Sequence, residues 1–129
     1  MMKIQTIIVL ASLLGMSSLS LAANCDQTRN SLDAVHCSNL VYQQADQELN
    51  KTYKALMGKL KATDKKNLRT LQRQWIRQRD EACTMQSVDM GEVINSSCLL
   101  DQTTERTNWL NDRLRECKTV GCISSKFVP

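Results

Sequence analysis

The sequence predicts an all-α fold: a small disulfide-stapled bundle of three main helices with a short N-terminal arm. Three observations predict it. Apolar residues recur at three- and four-residue spacing through most of the stretch from Ser38 to Cys117. In the middle of the chain, Gln72, Trp75, Arg79 and Cys83 fall at i, i+3, i+7 and i+11, which is one slightly spiralled helix face. Finally, all six Cys follow Ala22, an even set of the kind that staples small exported domains.

The 129 residues are enough for one small domain. The first of them are expected to be removed. Met1-Met2-Lys3 is a short basic start, Ile4 to Met16 is largely apolar, and Ser20-Leu21-Ala22 offers small residues for cleavage. Residues 1–22 thus form a signal peptide, and 23–129 form the helical domain. Asn24 separates Ala23 from Cys25, so the sequence lacks the Cys that a lipoprotein signal places directly after the small residue. No other apolar run approaches the ~18 residues that cross a bilayer. The formal charge of +4 is spread through the chain, with no basic cluster of the kind a nucleic-acid or membrane-surface protein carries. Lys59, Lys61, Lys65 and Lys66 come nearest, and they flank a turn.

Cys25 to His36 is polar apart from Leu32 and Val35, and is expected to form an arm with a turn or two of helix. The one histidine, His36, has no neighbouring acid or nucleophile motif and is assigned to the surface or to packing.

The first long helix is expected from about Ser38 to Leu60. Val41, Ala45, Leu49, Leu56 and Leu60 share a face with Tyr42, Tyr53 and Met57. Asp46 and Asn50 lie on or near this stripe, where buried polar groups need partners. Gly58 weakens the last turn, and Thr63 or Asp64 supplies the next N-cap.

The second helix is expected from about Lys65 to Met85, with Leu68, Leu71, Trp75, Ile76, Arg79 and Cys83 inward. So short a link makes the two helices antiparallel neighbours. If Leu60 faces Leu68, Tyr53 meets Trp75, and Asp46 falls near Arg79 or Ala82. Asp46 and Arg79 are therefore predicted to form a largely buried ion pair, structural rather than catalytic.

Thr84 to Ser97 is expected to be the main irregular segment. It carries Asp89 and Glu92 and no Lys or Arg, so it is locally acidic in a basic chain. The plain reading is a crossover loop tied at its ends by Cys83 and Cys98. The functional reading is a partner-binding loop presenting Ser87, Asp89, Glu92, Asn95 and Ser96.

The third helix is expected from about Cys98 to Cys117, capped by Ser96 or Ser97, with Leu99, Thr103, Arg106, Leu110 and Leu114 in its stripe. Arg106 is placed to face Asp46 or the end of the second helix, and Trp109 covers an edge. Such a helix is ~28 Å long at ~1.5 Å per residue, which isolates Cys117 and makes Cys122 its partner. Facing positions then favour Cys37 with Cys98 and Cys25 with Cys83. No two Cys stand two apart, the only His is His36, and there is no metal-binding His pair, phosphate loop or nucleophile elbow.

Cys37, Tyr42, Asp46, Leu49-Asn50 and Tyr53, followed by Leu71-Gln72, Trp75, Arg79-Asp80 and Cys83, then Cys98, Thr103-Thr104, Arg106 and Leu110, form a pattern that resembles the lysozyme inhibitor LprI family. The resemblance runs from about Cys25 to Leu114 and leaves the Cys117–Cys122 piece as an addition. It implies an exported bacterial helical domain, periplasmic or secreted. It also implies inhibition of a lysozyme-type muramidase by non-covalent binding; the acidic loop Thr84 to Ser97 is, on its own residues rather than through the resemblance, the candidate for plugging the sugar-binding cleft. The alternative is a periplasmic protein-interaction or envelope-stress module without lysozyme inhibition. Neither is an enzyme, and neither calls for a cofactor, a metal, nucleic acid or a membrane anchor.

Overall fold

The computed structural model describes residues 25–129. The expected signal peptide lies outside the described residues. Three helices follow in order: α1 (Ser31–Met57), α2 (Ala62–Cys83) and α3 (Ser96–Thr119). A two-stranded antiparallel hairpin, β1 (Thr84–Ser87) and β2 (Gly91–Ile94), joins α2 to α3. A short 3-10 helix, Ser124–Phe127, ends the chain.

α1 begins at Ser31, earlier than about Ser38, because Asn30 caps it. The Asn30 side chain accepts a hydrogen bond from Asp33 N at 2.9 Å, satisfying one of the free donors of the first turn. Asp33 adds a favourable negative charge at that end and pairs with Arg29 at 3.1 Å. Half of the expected arm, residues 31–36, is therefore helix, the turn or two expected there but continuous with α1, and residues 25–30 lie outside it. Val41, expected inward, is 45% exposed, and apart from the disulfide-bonded Cys37 the apolar face of α1 is buried only from Leu49 onward.

α2 starts at Ala62 after Lys61, which makes no side-chain cap. Thr63 and Asp64 lie inside the first turn rather than capping it. Asp64 is buried there and accepts a hydrogen bond from Ser124 Oγ at 2.9 Å. The C-terminal segment, through that hydroxyl, replaces water at the start of α2.

The core gathers Leu49 and Leu56 of α1, Leu60 of the link, Leu68 of α2, Leu110 and Leu114 of α3, and Phe127. Tyr53, Trp75 and Trp109 pack against its edge. The closest helix pair is α1 with α3. α2 runs back along them less tightly, and a groove remains between it and α1.

The segment expected to be irregular is a hairpin with Thr84 opposite Ile94 and Ser87 opposite Gly91. Its connection, Val88-Asp89-Met90, closes on Gly91 at φ +73°, a left-handed conformation that glycine adopts without a Cβ penalty. Ser87 Oγ accepts from Met90 N across the turn. The sequence hides this hairpin because each strand has only four residues, too few for a clear alternating pattern.

The hairpin also corrects the expected disulfides. Antiparallel pairing returns the chain to its starting point, and Asn95 N donates to Cys83 O at 2.9 Å. Cys98, one helical turn later, is bonded to Cys83 rather than to Cys37. Cys37 is bonded to Cys25, because the residues before α1 fold back on its first turns. Cys117 is bonded to Cys122.

Candidate functional site

Two surfaces stand out, one at an end of the bundle and one along its side. The first is built around the hairpin. β1 leaves directly from the last residue of α2, and α3 starts directly after β2. The Cys83–Cys98 disulfide clamps the base. Beyond the clamp, Val88 is as exposed as in an unfolded chain (104%) and Met90 is 74% exposed. Met85 and Ile94 are also open to solvent. The start of α1 adds Leu32 and Val35, so much of the exposed large apolar surface falls near this end. Single exposed apolar residues are ordinary, but a group of them on a braced projection is typical of a binding surface.

The polar residues expected to bind a partner here divide into two sets. Asp89 and Glu92 are exposed and make no ion pair among the described residues. Ser87 and Asn95 have structural work. The Ser87 hydroxyl holds the turn, and Asn95 Oδ1 accepts from Cys98 N at 3.0 Å as the N-cap of α3. That cap was expected from Ser96 or Ser97, which instead form the first residues of the helix. Ser96 is half-buried.

The second surface is the groove between α1 and α2, about 350 Å³ in volume. Leu49, Tyr53 and Ile76 give it apolar walls. Asp46 and Asn50 line the α1 side, where Asn50 Nδ2 donates to Asp46 Oδ2 at 3.1 Å. Arg69 and Arg73 line the α2 side, both exposed and both without a hydrogen bond or ion pair among the described residues.

At one end of this groove Arg79 ties the three helices together. Its Nη1 lies 3.7 Å from Asp46 Oδ1 on α1 and 3.4 Å from Thr103 Oγ1 on α3. Its Nη2 lies 2.8 Å from the adjacent Asp80. The guanidinium also sits over Trp75 at 5.0 Å and Tyr42 at 5.8 Å. The expected buried pair is thus lopsided: the Arg79 side chain is 9% exposed and that of Asp46 is 40% exposed. α2 stands off from α1 here, so water reaches the carboxylate.

Arg106 does not face Asp46, nor any other acid among the described residues. Its Nε donates to Gln72 Oε1 at 3.0 Å, and its guanidinium covers Trp109 at 4.3 Å. One of its nitrogens, Nη2, is buried without a hydrogen-bond partner. Burial lowers its pKa to about 10, which leaves it charged at neutral pH. The sequence places Arg106 on an inward stripe but does not show that Gln72 would supply the acceptor.

Among the described residues there is no cluster of His, Cys, Asp and Glu able to hold a metal ion, and no helix is long and apolar enough to cross a membrane. His36 is exposed on α1.

These features define a class: a small, disulfide-stapled three-helix domain with a braced, solvent-facing hairpin. Within that class, the chain belongs to the lysozyme inhibitor LprI family, whose profile matches residues 22–110. It is also similar to an uncharacterized protein of Rhizobium meliloti (strain 1021), 28% identical over 113 residues, covering 74% of this chain and 81% of that protein. No solved structure matches. The family is one of inhibitors, its namesake partner is a muramidase, and the three disulfides suit an oxidising compartment.

Proposed function

We propose that this chain is an exported, periplasmic or secreted inhibitor that binds a lysozyme-type muramidase non-covalently through its hairpin end. The observation that carries this reading is the hairpin itself: a rigid projection with a fully exposed apolar tip, in a member of an inhibitor family.

A muramidase cleft is concave and holds a pair of catalytic carboxyl groups. The Val88–Met90 tip enters such a cleft as an apolar wedge and excludes substrate sterically. Asp89 and Glu92 stay at the rim, where they meet basic residues of the enzyme. Ser87 and Asn95 support the tip from inside rather than touching the target. Because the chain is net basic, long-range charge does not steer it toward a basic lysozyme. Recognition therefore rests on short-range contact at the acidic, apolar tip.

The test is a cell-wall lysis assay with the oxidised domain and lysozymes of the chicken, goose and invertebrate types. Inhibition at micromolar protein is expected for at least one type. It should be lost in the double variant Val88→Asp, Met90→Asp with the thermal midpoint unchanged. If the unaltered domain inhibits none of the three, the interaction-module alternative takes its place.

A further inference from the structure

The groove between α1 and α2 and the hairpin tip are complementary to each other. Arg69 and Arg73 stand one turn apart on the same helix face, exposed and without a partner among the described residues. Like charges at this spacing repel, and an anionic group docked between them relieves that repulsion. Between them and α1 lies an apolar wall of Leu49, Tyr53 and Ile76, with Ile76 38% exposed. The hairpin presents the converse: two unpartnered carboxylates, Asp89 and Glu92, interleaved with the exposed side chains of Val88 and Met90.

The hairpin does not fill the groove of its own chain. It leaves α2 at Cys83, ~15 Å beyond Arg73 at ~1.5 Å per residue, and the Cys83–Cys98 clamp fixes its base. The full exposure of Val88 shows that the tip lies against nothing in its own molecule. The geometry points to a second copy of this chain as the occupant: the acidic, apolar hairpin tip of one molecule docks in the basic α1–α2 groove of another.

A flat anionic surface fits less well. The two arginines border a concavity with an apolar wall, and a protruding tip reaches both where a plane does not. The contact pairs two different patches, so it closes into a dimer only when each molecule gives its tip to the other. It needs the hairpin and the groove alone and is independent of any muramidase. If both contacts exist, they compete for the same tip.

Sedimentation velocity with a charge exchange tests this. The unaltered domain is expected to self-associate reversibly as protein concentration rises toward millimolar, and less so with added salt. The variant Arg69→Glu, Arg73→Glu and the variant Asp89→Arg, Glu92→Arg should each associate roughly tenfold or more weakly, because tip and groove then carry like charge. Mixed in equal amounts, the two variants regain both complementary contacts and should associate as the unaltered domain does. Circular dichroism checks that each is folded, since all four side chains are exposed. A domain that stays monomeric throughout, or a mixture that stays monomeric while the unaltered domain associates, overturns the inference. Association without lysozyme inhibition sinks the proposed function alone.

Discussion

Phe127 and Trp109 meet edge to face, with ring centroids 6.3 Å apart and planes at 87°. Phe127 is fully buried, although it lies well beyond residue 110, where the family match ends. The C-terminal segment is therefore part of the core. Replacing Phe127 with Ala leaves a cavity among Leu residues and should destabilise the domain by about 3–5 kcal/mol. Phe127→Leu should cost markedly less, because it keeps most of the apolar volume. Urea unfolding followed by tryptophan fluorescence reads both, and equal losses for the two would argue against a packed site.

The Arg79 contacts give an unequal pair of mutational effects. Arg79→Met removes the ties to Asp46, Asp80 and Thr103 and two stacking contacts, and should cost about 1–3 kcal/mol. Asp46→Asn should cost under about 1 kcal/mol, since the carboxylate is partly solvated and Asp80 still holds the guanidinium. The same urea experiment measures both. A larger loss for Asp46→Asn would mean that the pair is shielded from water.

Much of the helical framework is legible in the sequence because it follows from periodicity. Leu49, Leu56, Leu68, Leu110 and Leu114 occupy the buried positions that their spacing assigns. Asp46 and Arg79 come together because a short link makes facing positions countable. The hairpin was not legible, since four-residue strands carry too little pattern, and with it went the Cys83–Cys98 bond. Asn30 is not legible as a cap because the polar run before Ser31 has the composition of an arm. Arg106 shows another limit: helical spacing says that a charged residue points inward, but not what waits for it there.

Arg106 carries a buried charge with no acid beside it and one unsatisfied nitrogen. Replacing it with Met retains the apolar stem against Trp109 and removes the desolvated charge. Such exchanges are often neutral or stabilising. Both variants take the donor from Gln72 Oε1, so they differ in packing alone: Arg106→Met is expected to leave the urea midpoint unchanged or raise it, whereas Arg106→Ala should lower it by opening space beside Trp109. A drop in stability for the Met variant as large as for Ala would show that the charge itself is needed.

The acid limb of stability has a contributor at the start of α1. Hydrogen bonds from Arg29 hold the Asp33 carboxyl below its usual pKa of 3.8. A group whose pKa is lowered on folding contributes stability above its unfolded value, and loses it as pH falls through the folded one. Asp33→Asn should therefore weaken the domain at neutral pH and converge with the unaltered protein well below pH 3.8. Thermal midpoints measured across that range test the convergence; a constant gap would place the effect elsewhere.

The two long-loop disulfides should behave differently although their loops are similar, at separations of 12 and 15. Restricting the unfolded chain by a 15-residue loop is worth about 3 kcal/mol in the loop-entropy account. Cys83–Cys98 joins α2 to α3, so its loss is felt by the whole cooperative unit, and Cys83→Ala with Cys98→Ala should cost about 2–4 kcal/mol. Cys25–Cys37 ties down exposed residues ahead of α1 that bury nothing large. Without it those residues open locally, and Cys25→Ala with Cys37→Ala should cost the global transition under about 1 kcal/mol. Urea midpoints and amide hydrogen exchange together separate the cases. The first variant should speed exchange across β1 and β2 and lower the global midpoint, while the second should speed exchange only near Ser31. Equal global losses would show that the segment before α1 unfolds with the core.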